Sequence, residues 1–137
     1  MSGYSGTALA KKLGIKPGSR LLLVGAPDQY VDLLSPLPAG IQFDQQLSEA
    51  TDIVQVFSTE RIQLEQQLAS YRAKLKSTGA IWVSWPKKSA RVPTDITEDI
   101  IRDIALPLGF VDIKVCAVNE VWSGLKLVIR KELREGL

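Results

Sequence analysis

Apolar residues arrive along this chain in two rhythms. At 20–24, 52–57 and 80–85 they run almost unbroken (Arg-Leu-Leu-Leu-Val in the first case), as in strands covered on both faces. Between 59 and 76 they recur instead as Leu64, Leu68, Tyr71 and Leu75, at steps of four, three and four, which places them on one face of a helix. Charge order supports that helix. Glu60 and Glu65 stand in its first half and Arg72, Lys74 and Lys76 in its last, as the helix dipole prefers, with Gly79 following its end.

Punctuation residues predict the remaining elements. Thr7 caps a short helix over 8–13, Gly14 supplies a left-handed C-terminal position, and Pro17-Gly18 makes a turn. Pro27 suits the first turn of a helix over 27–34, which stops before Pro36 and Pro38, and 41–44 is a short strand. Asp95 with Glu98 three residues on has capping-box spacing. A helix starting there buries Ile96, Ile100 and Ile104, with Ile101 at the margin of that face, and ends at Pro107 and Gly109. Two β-rich runs, 110–118 and 121–130, are joined only by Asn119-Glu120 and read as an antiparallel hairpin.

Strands separated by helices imply a parallel sheet with helices on both faces. The expected architecture is a three-layer, doubly wound α/β sandwich of spatial order 2-1-3-4-6-5, the sixth strand reversed and inserted between the fourth and fifth. With 137 residues, 45% of them hydrophobic, the chain buries about 68% of its unfolded surface, enough for one domain over 1–137 without a metal or disulfide staple.

Composition then removes chemistry. Histidine is absent and cysteine occurs once, so no Ser-His or Cys-His pair, no histidine metal ligand and no internal disulfide exists in this chain. Cys116 sits in an apolar strand and is expected to be a buried, inert thiol. No cationic start leads into an apolar stretch and no apolar run approaches the roughly 20 residues that cross a bilayer, so a cytoplasmic protein without membrane contact is expected. A net charge of +2 is too small for a dedicated nucleic-acid binder, so any basic patch arises by local clustering.

Several segments carry a family resemblance. Leu13-Gly14-Ile15-Lys16-Pro17-Gly18-Ser19-Arg20-Leu21-Leu22-Leu23-Val24-Gly25 resembles the lead-in and first strand of class I S-adenosylmethionine-dependent methyltransferases. The segment at 75–83 is similar to that fold's middle helix-to-strand junction, and Leu108-Gly109-Phe110 with the hairpin through Trp122-Ser123-Gly124 is similar to its closing strands. More narrowly, Ser5-Gly6-Thr7, Leu9-Ala10-Lys11-Lys12-Leu13-Gly14, Trp82-Val83-Ser84-Trp85-Pro86-Lys87-Lys88, Pro93-Thr94-Asp95 and Trp122-Ser123-Gly124 resemble, end to end, a family of small conserved bacterial proteins of unknown function.

The resemblance implies a Rossmann-like, methyltransferase-like scaffold and, in ordinary members, a glycine-rich cofactor loop after the first strand. Here that loop reads Gly25-Ala26-Pro27-Asp28-Gln29, with one glycine and with a proline that removes a backbone donor. The extra helix and strand that the fold usually carries before position 52 have no room. Asp44, 19 residues after Gly25, lies near the spacing of a ribose-binding acid, although coincidence is the better explanation of that spacing.

In an open α/β sheet, ligands collect at the carboxyl ends of the strands near the reversal of strand order. The loops there hold Gly25, Asp28 and Asp44, and the rim adds Lys87, Lys88 and Arg91 with Trp85 and Trp122, a mixture suited to an anion and a flat ring. Against this, exposed basic loops are commonly only solvated surface, and the two tryptophans can simply close the core. The carboxylates of Thr94-Asp95-Ile96-Thr97-Glu98-Asp99 are assigned to helix capping rather than metal binding, and Gly124 to a glycine bulge. The preferred expectation is a non-catalytic protein without cofactor or metal that binds a small anionic or aromatic ligand or a protein partner. The alternatives are an active methyltransferase with an altered S-adenosylmethionine loop, and a nucleotide or nucleic-acid binder acting through the basic loop 86–91.

Overall fold

The computed structural model describes residues 8–134. Its six-stranded sheet has the order β2-β1-β3-β4-β6-β5, the order that the alternation of strands and helices predicts. Strands β1 (Arg20–Val24), β2 (Gln42–Asp44), β3 (Ile53–Phe57) and β4 (Ala80–Pro86) are parallel, while β6 (Trp122–Ile129) runs antiparallel between β4 and β5 (Phe110–Ala117).

Alternation along the central strands divides the core in two. On one face Leu21, Ile53, Phe57 and Trp82 pack with α1 (Leu9–Lys12) and α2 (Tyr30–Leu34). On the other, Leu22, Val54, Val56, Ile81 and Val83 meet α3 (Arg61–Lys74) and α4 (Glu98–Leu108) through Leu64, Leu68, Ile101 and Ile104. This two-sided coverage is why β3 and β4 are buried at every position and read as continuous apolar runs.

Local expectations fail where a side chain bonds outside its own element. Asp95 does not cap α4. Its carboxylate accepts the Arg61 N–H at 2.7 Å and so caps α3 from across the fold, while Thr97 caps α4 by accepting from Ile100 N at 3.2 Å. Within α4 the buried residues are Ile101, Ile104 and Ala105, with Ile100 only partly covered, and Pro107 lies inside the last turn before Gly109 closes it at φ +99°. Helix α2 starts at Tyr30 rather than Pro27, because Gln29 is left-handed (φ +65°) and Pro27 to Tyr30 forms a turn. Helix α3 ends at Lys74 with Leu75 extended, and Gly79 follows in the turn closed by its N–H on Lys76 O at 2.9 Å.

The hairpin tip is longer than two residues, since Asn119 Oδ1 accepts from both Val121 N and Trp122 N at 2.9 and 2.8 Å. Gly124 is not a bulge. It lies in regular register between Ser84 and Cys116, where a Cβ would sit 3.2 Å from Trp82 Cε3, and the irregularity falls at Asp112 to Lys114 instead. The proposed Thr7 cap falls outside the described residues.

Candidate functional site

The strand order reverses between β1 and β3, so the crevice lies above Gly25 and Phe57. Gly25 leaves β1 with φ +67° and presses against its neighbour: a Cβ there would stand 2.9 Å from the Phe57 carbonyl oxygen. Only glycine meets both demands. The loop therefore folds down onto the sheet, and Pro27 contributes an acceptor to Tyr30 N but has no N–H to offer a ligand. Asp28 is exposed on this turn.

Three rings close the same end of the sheet. Tyr30 packs edge-on to Phe57 with centroids 4.9 Å apart, and Phe57 edge-on to Trp122 at 5.1 Å. Tyr30 opens α2, Phe57 ends β3 and Trp122 opens β6, so the stack bridges the ends of three elements. Burial pushes the Tyr30 hydroxyl well up, which keeps it protonated. Behind the rings, Gln55 Nε2 and Ser84 Oγ are buried on the same face with no hydrogen-bond partner among the described residues. Sequence reading missed Tyr30 and Phe57, because an aromatic residue at the end of an apolar run carries no signal that distinguishes a site from core.

Asp44 stands at the end of β2, and its carboxylate is already engaged. Oδ1 accepts from Arg20 Nε and Nη2 at 3.0 and 2.7 Å, and Oδ2 accepts from the Thr51 hydroxyl at 2.6 Å. These bonds, Arg20's first, hold its carboxyl below the usual range. Asp52 lies beside this pair. It accepts from Arg20 N at 2.7 Å and from Lys76 Nζ at 2.5 Å, and its carboxyl ends below the usual range because Lys76 and the Arg20 amide outweigh the opposing effect of burial.

On the rim, the Lys87 amide donates to Val121 O at 2.7 Å and pins the loop after β4 to the hairpin that carries Trp122. The loop then makes a short 3-10 turn, Lys88–Ala90, and Arg91 is left-handed at φ +56°. Lys88 and Arg91 are exposed and Lys87 is half-buried. Trp85 does not share a face with Trp122. It is 9% exposed and packs toward Ile96 and α4, so the stacking surface on this rim is Trp122 alone. Among the described residues no three of Cys, Asp and Glu converge as metal ligands, and Glu98 and Asp99 pair with Arg102. Burial pushes the Cys116 thiol up, against the pull of Lys12 and Lys114, so it stays protonated.

Sheet order, the reversed β6 and helices on both faces define the class I methyltransferase-like Rossmann fold, and solved structures share it. A protein described as a type 11 methyltransferase from Sulfolobus solfataricus superposes with a TM-score of 0.64 at 12% identity, over 94% of this chain and 92% of that one. Aeropyrum pernix fibrillarin, solved with natively bound S-adenosylmethionine, gives 0.60 at 15% identity over 88% and 73%. No protein-family model matches the sequence, and no curated protein matches it. The likeness establishes the fold. No helix among the described residues is long and apolar enough to cross a membrane.

Proposed function

We propose that this chain is a non-catalytic binding protein on a methyltransferase-like scaffold, which holds an anionic ligand or a protein partner at the rim formed by Lys87, Lys88, Arg91 and Trp122. The observation that carries this reading is the state of the crevice. Tyr30, Phe57 and Trp122 pack edge-on to one another at this end of the sheet, and the one acid at ribose spacing spends both carboxylate oxygens on Arg20 and Thr51. An adenosyl cradle needs free backbone donors after β1 and a free acid after β2. Pro27 and the engaged Asp44 do not fit that need. The rim, by contrast, presents cations beside one aromatic face, which suits a phosphate or carboxylate attached to a flat ring. We also propose that the chain belongs with the small bacterial proteins that its 82–88 and 122–124 segments resemble, in the cytoplasm.

Isothermal titration calorimetry with S-adenosylmethionine is expected to show no saturable heat. Micromolar binding that disappears in Asp44→Ala, with an unchanged circular dichroism spectrum, would overturn the reading in favour of a methyltransferase with an altered loop. Adenosine monophosphate, which combines an anion with a flat ring, serves as the rim probe. It is expected to quench tryptophan emission in the parent protein and not in Lys87→Ala/Lys88→Ala.

A further inference from the structure

A second concentration of positive charge lies away from the rim, on the α1 face of the sheet. Lys114 and Lys126 stand directly opposite each other on β5 and β6, and the same row of the sheet continues to Trp82. Lys126 Nζ lies 6.0 Å from the centroid of the Trp82 ring and would be 3.5 Å from a Cβ at Gly14, which puts it against the end of α1. Lys114 Nζ reaches the Lys12 carbonyl at 3.4 Å, and Lys16 follows on the loop into β1. Like charges directly opposite on neighbouring strands destabilise a sheet.

Among the described residues the only partners for these ammonium groups are the Lys12 carbonyl and the Trp82 ring, neither of which carries a full negative charge. Among the described residues no ion pair joins Lys12, Lys16, Lys114 or Lys126 to a carboxylate. No acidic residue precedes Asp28 in the chain, so α1 and the loop after it bring cations alone. The nearest acid on β5, Asp112, points to the opposite face and bonds Arg102 at 3.0 Å. Lys126 is half-buried, and burial together with Lys114 and Lys16 pulls its ammonium below the ordinary lysine value.

We propose that Lys12, Lys16, Lys114 and Lys126 form a docking surface for the phosphodiester backbone of a single-stranded nucleic acid. The ammonium groups come from α1, the loop after it, β5 and β6, so they line a surface rather than a closed pocket, as a repeating polyanion needs and a lone phosphate does not. Backbone contacts of this kind position a strand without reading its sequence. This surface lies beside Trp82 near the start of β4, whereas the proposed rim lies beyond its end, so the two readings stand or fall separately.

The test is fluorescence anisotropy of a labelled single-stranded oligonucleotide with the full-length chain across a potassium chloride series. Binding that weakens with salt is expected. Each lysine lost should lower the log-log salt slope by about 0.7, so Lys16→Ala/Lys114→Ala should lower it by about 1.4. Lys126→Met, which keeps an unbranched side chain but removes the ammonium over Trp82, should lower it by about half as much. Lys74→Ala/Lys131→Ala, which removes exposed cations elsewhere, should leave the slope unchanged. Should Lys126→Met fail to fold by circular dichroism, the exposed pair decides alone. Absence of binding at low salt overturns the proposal, as does an unchanged slope in Lys16→Ala/Lys114→Ala. Loss confined to Lys87→Ala/Lys88→Ala overturns it and moves the nucleic acid to the rim. Binding to phosphatidylserine vesicles without binding to the oligonucleotide overturns it in favour of a membrane.

Discussion

Asp44 shows how one residue's partners settle what its position leaves open. Its spacing from Gly25 admits a ribose contact, but the Arg20 guanidinium and the Thr51 hydroxyl occupy both of its oxygens. Because those bonds hold its folded pKa below the ordinary carboxyl value, they stabilise the fold fully above about pH 4. That stabilisation is lost as pH falls through the lower folded value. Asp44→Asn should therefore be less stable than the parent at neutral pH, and the gap should narrow under acid. Urea midpoints measured at pH 7 and pH 3 check this, and an equal gap at both would show that the carboxylate charge is not what Arg20 recognises. Gly25 makes a similar point sterically, since its fixed backbone angle and the Phe57 carbonyl beside it are tertiary facts behind an ordinary-looking glycine.

At the scale of elements, the segment before α4 caps both α3 and α4. The sequence places Asp95 three residues before Glu98, and that spacing suggested a single helix start. In the structure the segment before α4 meets the link between β3 and α3, with the Thr94 hydroxyl on Thr59 O at 2.7 Å, and this brings Asp95 to the first amide of α3. Asp95→Ala should loosen the first turn of α3, and Thr97→Ala that of α4, each at about 1 kcal/mol. Hydrogen exchange resolved by residue distinguishes the two, and faster exchange in α4 for Asp95→Ala would restore the capping-box reading. The helices themselves were legible because apolar positions at helical steps survive whatever caps them. The caps were not, since a carboxylate reaches any amide within about 3 Å regardless of distance along the chain.

At the scale of the molecule, Trp82 ties the sheet to α1. Its ring is fully buried and its Nε1 donates to Leu13 O at 2.9 Å, closing the loop that leads into β1. Trp82→Phe should cost on the order of 1–3 kcal/mol, as it strands that buried carbonyl and leaves space beside Gly124. A lower urea midpoint with an unchanged slope is the expected result. A midpoint equal to the parent's would show that water replaces the bond without loss.

The chain by itself determined the order and direction of the strands. Unbroken apolar runs separated by one helical period admit a sheet covered on both faces, and right-handed crossovers leave few ways to wind it. Only the folded structure decided which polar groups stay free. It spent Asp44 on Arg20, turned Trp85 into the core, stacked Tyr30 and Phe57 under Trp122, and set Lys114 opposite Lys126. Hydrophobic pattern is periodic along a chain, whereas charge and hydrogen-bond partners are chosen across it, between residues whose separation in sequence carries no information about their distance in space.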